Sequence, residues 1–195
     1  MKDTYDVVYD WADNIGKGNW PEDKCVFTRE FGEMVDDWYA HNNINRAARP
    51  WGERPQLMQA LALCDSYGEM FHGRRQFIGG CQWHPFDHQR GYHPDPYYGG
   101  IYDAFRQPKT AFYMFRSQIP AREDTAFVYI AHEMGQFSEP DVVVFSNCDS
   151  VRLSMYDGEM SWTLPVRHHK VMRDQGSASV ETLEGMMSNE DMMPY

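Results

Sequence analysis

Between Phe77 and Lys109 the chain reads FIGGCQWHPFDHQRGYHPDPYYGGIYDAFRQPK. The stretch opens on a short apolar run, Phe77-Ile78-Gly79-Gly80-Cys81, that predicts a buried strand. Trp83, His84, Asp87, His88, Arg90, Tyr92, His93 and Asp95 follow, and neither a helical nor an alternating period orders them. Pro85, Pro94, Pro96, Gly91, Gly99 and Gly100 punctuate the segment as loop. A rigid strand that empties into an aromatic and polar loop is a common build for a binding site. The same residue types also suit a proline-rich surface loop whose aromatic rings pack on their neighbours, and both readings stay open on composition alone.

Upstream, Lys24 to Glu30 (KCVFTRE) predicts a second strand, apolar at its centre and charged at its end, with Phe31-Gly32 after it. Met34 to Pro50 reads as loop. Trp51 to Phe71 predicts a helix with Pro55 in its first turn and Leu57, Leu61, Cys64 and Gly68 on one face. Ahead of the first strand, Tyr5, Val8, Tyr9 and Ala12 recur at helical spacing, predicting a helix over 3–15. Ile101 to Gln118 predicts another, divided by Pro108, which a helix interior does not accommodate without a kink. Strands alternating with helices point to a parallel sheet.

After Gln118 the texture changes. Thr125 to His132 and Asp141 to Ser146 are β-branched or aromatic runs, Val151 to Tyr156 alternates, and Asp157-Gly158 signals a hairpin turn with Trp162 to Val166 pairing back. This half predicts an antiparallel sheet belonging to a sandwich. From about Gln175 the chain is rich in Ser, Glu and Met without period, predicting an unpatterned tail.

Composition narrows the function. The net charge of −11 disfavours a phosphate-backbone partner, because nucleic-acid binding needs a basic field. No apolar run approaches the roughly 18 residues a membrane helix requires. Cys25, Cys64, Cys81 and Cys148 are widely spaced with no C-x-x-C pair, which reads as buried small apolar residues rather than a zinc site or a disulfide framework. Aromatic residues reach 15% of the 195, with 6 Trp and 12 Tyr. Such enrichment suits a core, and also a surface on which indole faces stack against sugar C–H groups. His84, Asp87, His88 and His93 invite a metal reading, but Pro85 and the lack of helical register spoil the i, i+4 geometry that reading needs.

Three segments in order carry a family resemblance: Thr28-Arg29-Glu30-Phe31-Gly32, then Gly79-Gly80-Cys81-Gln82-Trp83 with Asp87 after it, then Gly99-Gly100-Ile101-Tyr102-Asp103 with Arg106, Pro108 and Lys109. Together they resemble the C-terminal end of the catalytic barrel in family-2 glycoside hydrolases, the β-galactosidase group. The nearest likeness is to its gut-bacterial branch with Arg-Gly-Tyr-His-Pro-Asp-Pro segments. Val142 to Leu153, with Ser146-Asn147, resembles the first strands of the immunoglobulin-like domain that follows the barrel there. The resemblance spans roughly residues 1 to 165.

It implies an α/β fold: a partial (β/α)8 TIM-barrel segment, its last two β/α units, followed by an antiparallel β-sandwich segment. The implied boundaries are 1–120 for the barrel portion, 121–172 for the partial sandwich and 173–195 for a disordered tail. It implies that Glu30 is the nucleophile of a retaining mechanism, against the plainer reading of a solvated strand-end carboxylate. A retaining site pairs one ionised carboxylate with a protonated one about 5–5.5 Å away. Arg29, if close, favours the ionised form of Glu30. Trp83 takes the place of the sugar-binding floor, or is a core tryptophan at the sheet's mouth. Asp87 and His88 are expected to face sugar hydroxyls, with His84, Arg90 and His93 as further candidates, and His41, Asn42, Arg46 and Trp51 as another wall or as packing.

The family's acid/base Glu follows an Asn near the end of an earlier barrel strand. The one Asn-Glu pair here, Asn189-Glu190, lies in the tail, so the chain reads as a piece of a longer barrel and is expected to lack proton delivery. The implied ligand is a β-linked glycoside or oligosaccharide, a β-galactoside ahead of a β-glucuronide or β-mannoside. No cofactor is required, although a divalent or sodium ion belongs to the family's full-length members. A carbohydrate-binding module and a piece completing a barrel, with other chain or with a second copy, remain the non-catalytic alternatives. The compartment is left open, the branch being often periplasmic.

Overall fold

The structure, a computed structural model, describes residues 6–10, 21–31, 46–72, 76–89, 91, 94–123, 125–166 and 179–182. The chain falls into two compact units, Met1–Phe112 and Tyr113–Tyr195. The mixed α/β character predicted from the alternation of elements is present, with a parallel sheet in the first unit and antiparallel sheets in the second.

The first unit is built on β1 (Val7–Asp10), β2 (Cys25–Phe31) and β3 (Phe77–Gln82), hydrogen-bonded in the order β1-β2-β3 and all parallel. The predicted helix over 3–15 is corrected here: Val7–Asp10 is a strand, with Val7 opposite Cys25 and Tyr9 opposite Phe27. Val7, Val8 and Tyr9 favour a pleated surface, and the open edge of β2 offers a ladder that the 3.6-residue spacing alone does not reveal. The Tyr9 and Phe27 rings stack at 6.1 Å.

Two compensating irregularities shape the β2–β3 pair. Val26 opposes Phe77 but Phe27 opposes Gly79, and Thr28 opposes Gly80 but Phe31 opposes Gln82. The first slip places an extra residue in β3 and the second places one in β2. A bulge of this kind reverses the alternation of side chains beyond it. Val26 and Thr28 are buried, and after the slip Phe31 is the buried residue, its ring 6.2 Å from that of Tyr67. Glu30, half-buried, therefore leaves the buried face at the end of β2.

Between β2 and β3 runs α1 (Glu53–His72), entered through a single 3-10 turn, Arg49–Trp51, with Pro50 inside it. Pro55 sits in the first turn, where its missing N–H costs nothing. The buried stripe is rotated from the predicted one. Gln56, Gln59, Ala60, Leu63 and Cys64 are buried, Gly68 with them, while Leu57 and Leu61 are half-buried. Ala60 and the glutamines lie where backbone passes close: Gln59 Nε2 donates to the carbonyls of Tyr98 and Gly100, both at 3.4 Å.

The predicted helix over 101–118 is also corrected. Only Thr110–Arg116 is helical (α2). The segment ahead of it is an irregular turn held by Asp103, whose Oδ1 accepts the amides of Phe105 and Gln107 at 2.9 Å each. A side chain that bonds its own backbone two and four residues on competes with a helix and wins when Pro108 already blocks one.

In the second unit β4 (Val128–Ile130), β5 (Val143–Ser146) and β8 (Ser179–Thr182) form one antiparallel sheet in the order β4-β5-β8. β6 (Ser150–Met155) and β7 (Met160–Pro165) form a hairpin. Asp157-Gly158 turns it as the dipeptide predicts, with Tyr156, Asp157 and Gly158 at φ of 51°, 54° and 94°. Val142 and Val144 of the first sheet pack against Val151, Leu153 and Leu164 of the hairpin. The strand β8 arises within the stretch expected to be an unpatterned tail. Its partner β5 is buried along its length and leaves a free edge that a local pattern reading does not see. Asn147 staples this unit: Oδ1 accepts Phe127 N at 2.8 Å, and Nδ2 donates to the carbonyls of Ile119 and Thr125 at 3.0 and 3.2 Å.

Candidate functional site

Glu30 and Trp83, two of the residues singled out from the sequence, stand at one end of the parallel sheet. Trp83 follows the last residue of β3, and its backbone N–H donates to Phe31 O at 3.0 Å. Glu30 and Trp83 therefore stand at the C-terminal ends of adjacent parallel strands, a consequence of the β2-α1-β3 crossover and its register. The Trp83–His84 peptide is cis. Gln82 Nε2 and Trp83 Nε1 are both buried from solvent and meet no acceptor among the described residues. Buried N–H groups are ordinarily paired, so two such donors at one strand end suit a bound oxygen.

Around Trp83 the rings form a contiguous cluster. His84 lies 5.0 Å from Trp83, 4.2 Å from His88 and 4.8 Å from Tyr97, centre to centre, and His88 is 5.5 Å from Tyr97. The buried Arg46 guanidinium sits over the Tyr97 ring at 4.8 Å. Cationic groups over an aromatic face gain most when desolvated. His88 and Tyr97 are locked by a reciprocal pair of backbone bonds, 3.1 and 2.8 Å. Tyr97 also explains Gly99, where a Cβ would collide with the tyrosine ring.

Asp87 departs from its expected role. Its carboxylate is turned inward, where Oδ1 accepts from Lys109 Nζ at 3.0 Å and from Gly100 N at 2.9 Å. The side chains of Lys109 and Asp87 are 0% and 4% exposed. Burial pushes the Asp87 carboxyl upward and the Lys109 ammonium downward, and each charge pulls the other back. Nζ faces three acceptors, which calls for three N–H groups and hence the charged form. Beside this pair, Arg49 Nε donates to Asp103 Oδ2 at 2.7 Å and the same guanidinium reaches Pro108 O at 2.8 Å. Burial works against the Asp103 carboxylate, but Arg49 and the Gln107 and Phe105 amides outweigh it and hold its pKa below the ordinary range.

Trp51 stands 44% exposed at the end of the 3-10 turn, edge-on to Tyr98 at 5.2 Å. His41, Asn42, Arg90 and His93 lie outside the described residues, as does the side chain of Arg29. Asn189-Glu190 lies outside them as well. Among the described residues no group of three or more His, Cys, Asp or Glu is placed to hold a metal ion. Of the expected contacts, Glu30 and Trp83 stand at neighbouring strand ends, His84 and His88 belong to the ring cluster beside Trp83, and Asp87 is turned onto Lys109 and Gly100. From the sequence Arg46 is expected as another wall or as packing, whereas Tyr97 and Lys109 carry no assigned site role. In the sequence Lys109 stands out only by its place in the third resemblance segment, after Pro108 and just ahead of α2, and nothing there announces burial.

No family model matches the chain, and no curated protein matches it.

Proposed function

We propose that this chain carries the nucleophile side of a retaining glycoside-hydrolase site, β-galactosidase-like, with Glu30 as the nucleophile and Trp83 as the sugar floor. One observation carries the reading: a half-buried carboxylate and an indole end neighbouring parallel strands, joined by the Trp83 N to Phe31 O bond. The parallel order β1-β2-β3 is compatible with an arc of a (β/α)8 barrel, as it is with one half of a doubly wound sheet. Catalytic groups of such barrels come from the C-terminal strand ends. The two facing antiparallel sheets of the second unit are read as the start of an immunoglobulin-like domain.

In this mechanism a Glu30 carboxylate oxygen attacks the anomeric carbon. The C–O bond to the aglycone breaks, and the electron pair leaves with that oxygen. Water then attacks the same carbon, its proton passing to solvent, and the bond to Glu30 breaks to release the carboxylate. The Trp83 face supports the pyranose, and the donors on Gln82 and Trp83 bond its oxygens. A leaving group that needs a proton requires a general acid that this reading assigns to none of the described residues. β-Galactoside is the proposed substrate, ahead of β-glucuronide and β-mannoside.

An activated 2-deoxy-2-fluoro-β-galactoside separates these steps, because dinitrophenolate departs without protonation. Incubation should leave one fluoro-sugar on the peptide containing Glu30, read by mass spectrometry, and Glu30→Gln should abolish it. Simple alkyl galactosides should not turn over. A saturating probe that leaves Glu30 unmodified would overturn the proposal.

A further inference from the structure

Lys109 Nζ donates to acceptors in three segments: Ala47 O at 2.7 Å, Tyr98 O at 2.9 Å and Asp87 Oδ1 at 3.0 Å. Each acceptor is the immediate sequence neighbour of a residue in the ring cluster: Arg46 beside Ala47, Tyr97 beside Tyr98, His88 beside Asp87. The segments also meet directly, since Ala47 N donates to Tyr98 O at 3.1 Å and Gly100 N to Asp87 at 2.9 Å. A fully buried ammonium is costly unless every N–H is used, and here all three are. An apolar side chain would fill the volume but leave the Asp87 carboxyl without its cation and two carbonyls with less to bond. The arrangement thus ties the segments bearing Arg46, Tyr97 and His88 together at a point with no exposed surface.

We propose that Lys109, acting through Asp87 and the two carbonyls, is a positioning residue that holds Arg46, Tyr97 and His88 in register beside Trp83. Its effect on sugar binding rests on the glycosidase reading above, while the tether itself does not. The strands β2 and β3 set Glu30 and Trp83 independently of it. Loss of the tether should therefore weaken sugar binding while leaving the chemical step at Glu30 in place.

The test compares wild type with Lys109→Met, which keeps an unbranched stem one atom shorter and removes all three donors. The first readout is hydrogen exchange by mass spectrometry. The amides of Ala47, His88 and Tyr97 should exchange faster together in Lys109→Met, with those of β2 and β3 unchanged. The second is the rate of fluoro-galactoside labelling against probe concentration. The limiting rate should hold, and the half-saturating concentration should rise about tenfold, within the penalty that ångström-scale misplacement of binding groups brings. A role in stability alone would shrink the labelled fraction without moving half-saturation. Unchanged exchange at the three segments overturns the tether whatever the labelling shows. Loosened exchange with wild-type half-saturation overturns its effect on binding. Loosened exchange in a protein that wild-type labelling fails to mark keeps the tether and removes the glycosidase reading. If Lys109→Met does not fold, Asp87→Asn takes its place. It drops the ion pair but keeps an acceptor, and faster exchange at His88 and Ala47 is expected, its absence counting against the proposal.

Discussion

The cysteines show how far residue identity falls short of environment. All four read as small buried apolar groups from their spacing, yet Cys25 and Cys81 are exposed, Cys148 is intermediate and only Cys64 is buried; all four are free thiols. Cys25 and Cys81 lie on strands of the parallel sheet, where Val7, Tyr9 and Ile78 are exposed too, so a strand-like run does not guarantee a covered face. Burial, with Asp65 beside it, pushes the Cys64 thiol up to about 11. The thiolate is the nucleophile in alkylation. At pH 8, iodoacetamide should modify Cys25 and Cys81 while sparing Cys64 until denaturant is added, as peptide mass spectrometry would report. Rapid modification of Cys64 in the folded protein would contradict its burial. Asp87 makes the same point from the polar side. The family resemblance implied a sugar-facing carboxylate, and only the fold supplied Lys109 as its partner.

Among elements, the loop from β3 to α2 is held by packing at glycine and by polar bonds rather than by any repeat. At Gly100 an added Cβ would collide with backbone atoms of Asp87, Phe86 and Tyr102, none of which is a flexible side-chain tip. Gly158 is the contrasting case: its surroundings are open, and only φ of +94° opposes a side chain. Gly100→Ala should therefore destabilise by about 3 kcal/mol or more, and Gly158→Ala by about 1 kcal/mol. Urea denaturation followed by circular dichroism checks the order, and equal losses would refute the distinction. Elements with a clear period or turn signal were legible: β2, α1, β3 and the β6–β7 hairpin. β1 was not, because four residues fit a helical spacing as well as a strand and the choice was made by the edge of β2. The segment over 101–109 was not, because Asp103 and Arg49 are 54 residues apart in sequence.

For the whole molecule, net charge is the dominant long-range term. At −11 the folded chain repels itself, and salt shortens the reach of that repulsion to about 8–10 Å near physiological ionic strength. The Lys109–Asp87 pair, being buried, is little affected by salt, whereas contacts such as Arg122–Glu123 are exposed and weak. Raising NaCl from about 10 mM to about 150 mM should lift the thermal midpoint by a few degrees in scanning calorimetry. A falling midpoint would show that exposed ion pairs outweigh self-repulsion.

The sequence by itself determined the β2-α1-β3 order, the antiparallel second half and the hairpin at Asp157-Gly158, since period and turn chemistry are local properties of the chain. It also set Glu30 and Trp83 at strand ends, because both strands announce where they stop. The tertiary structure decided which strand ends are neighbours, which residues turn inward past a bulge, and where charges pair. Those depend on contacts between segments distant in sequence, such as Ala47, Asp87, Tyr98 and Lys109, whose meeting no local pattern encodes.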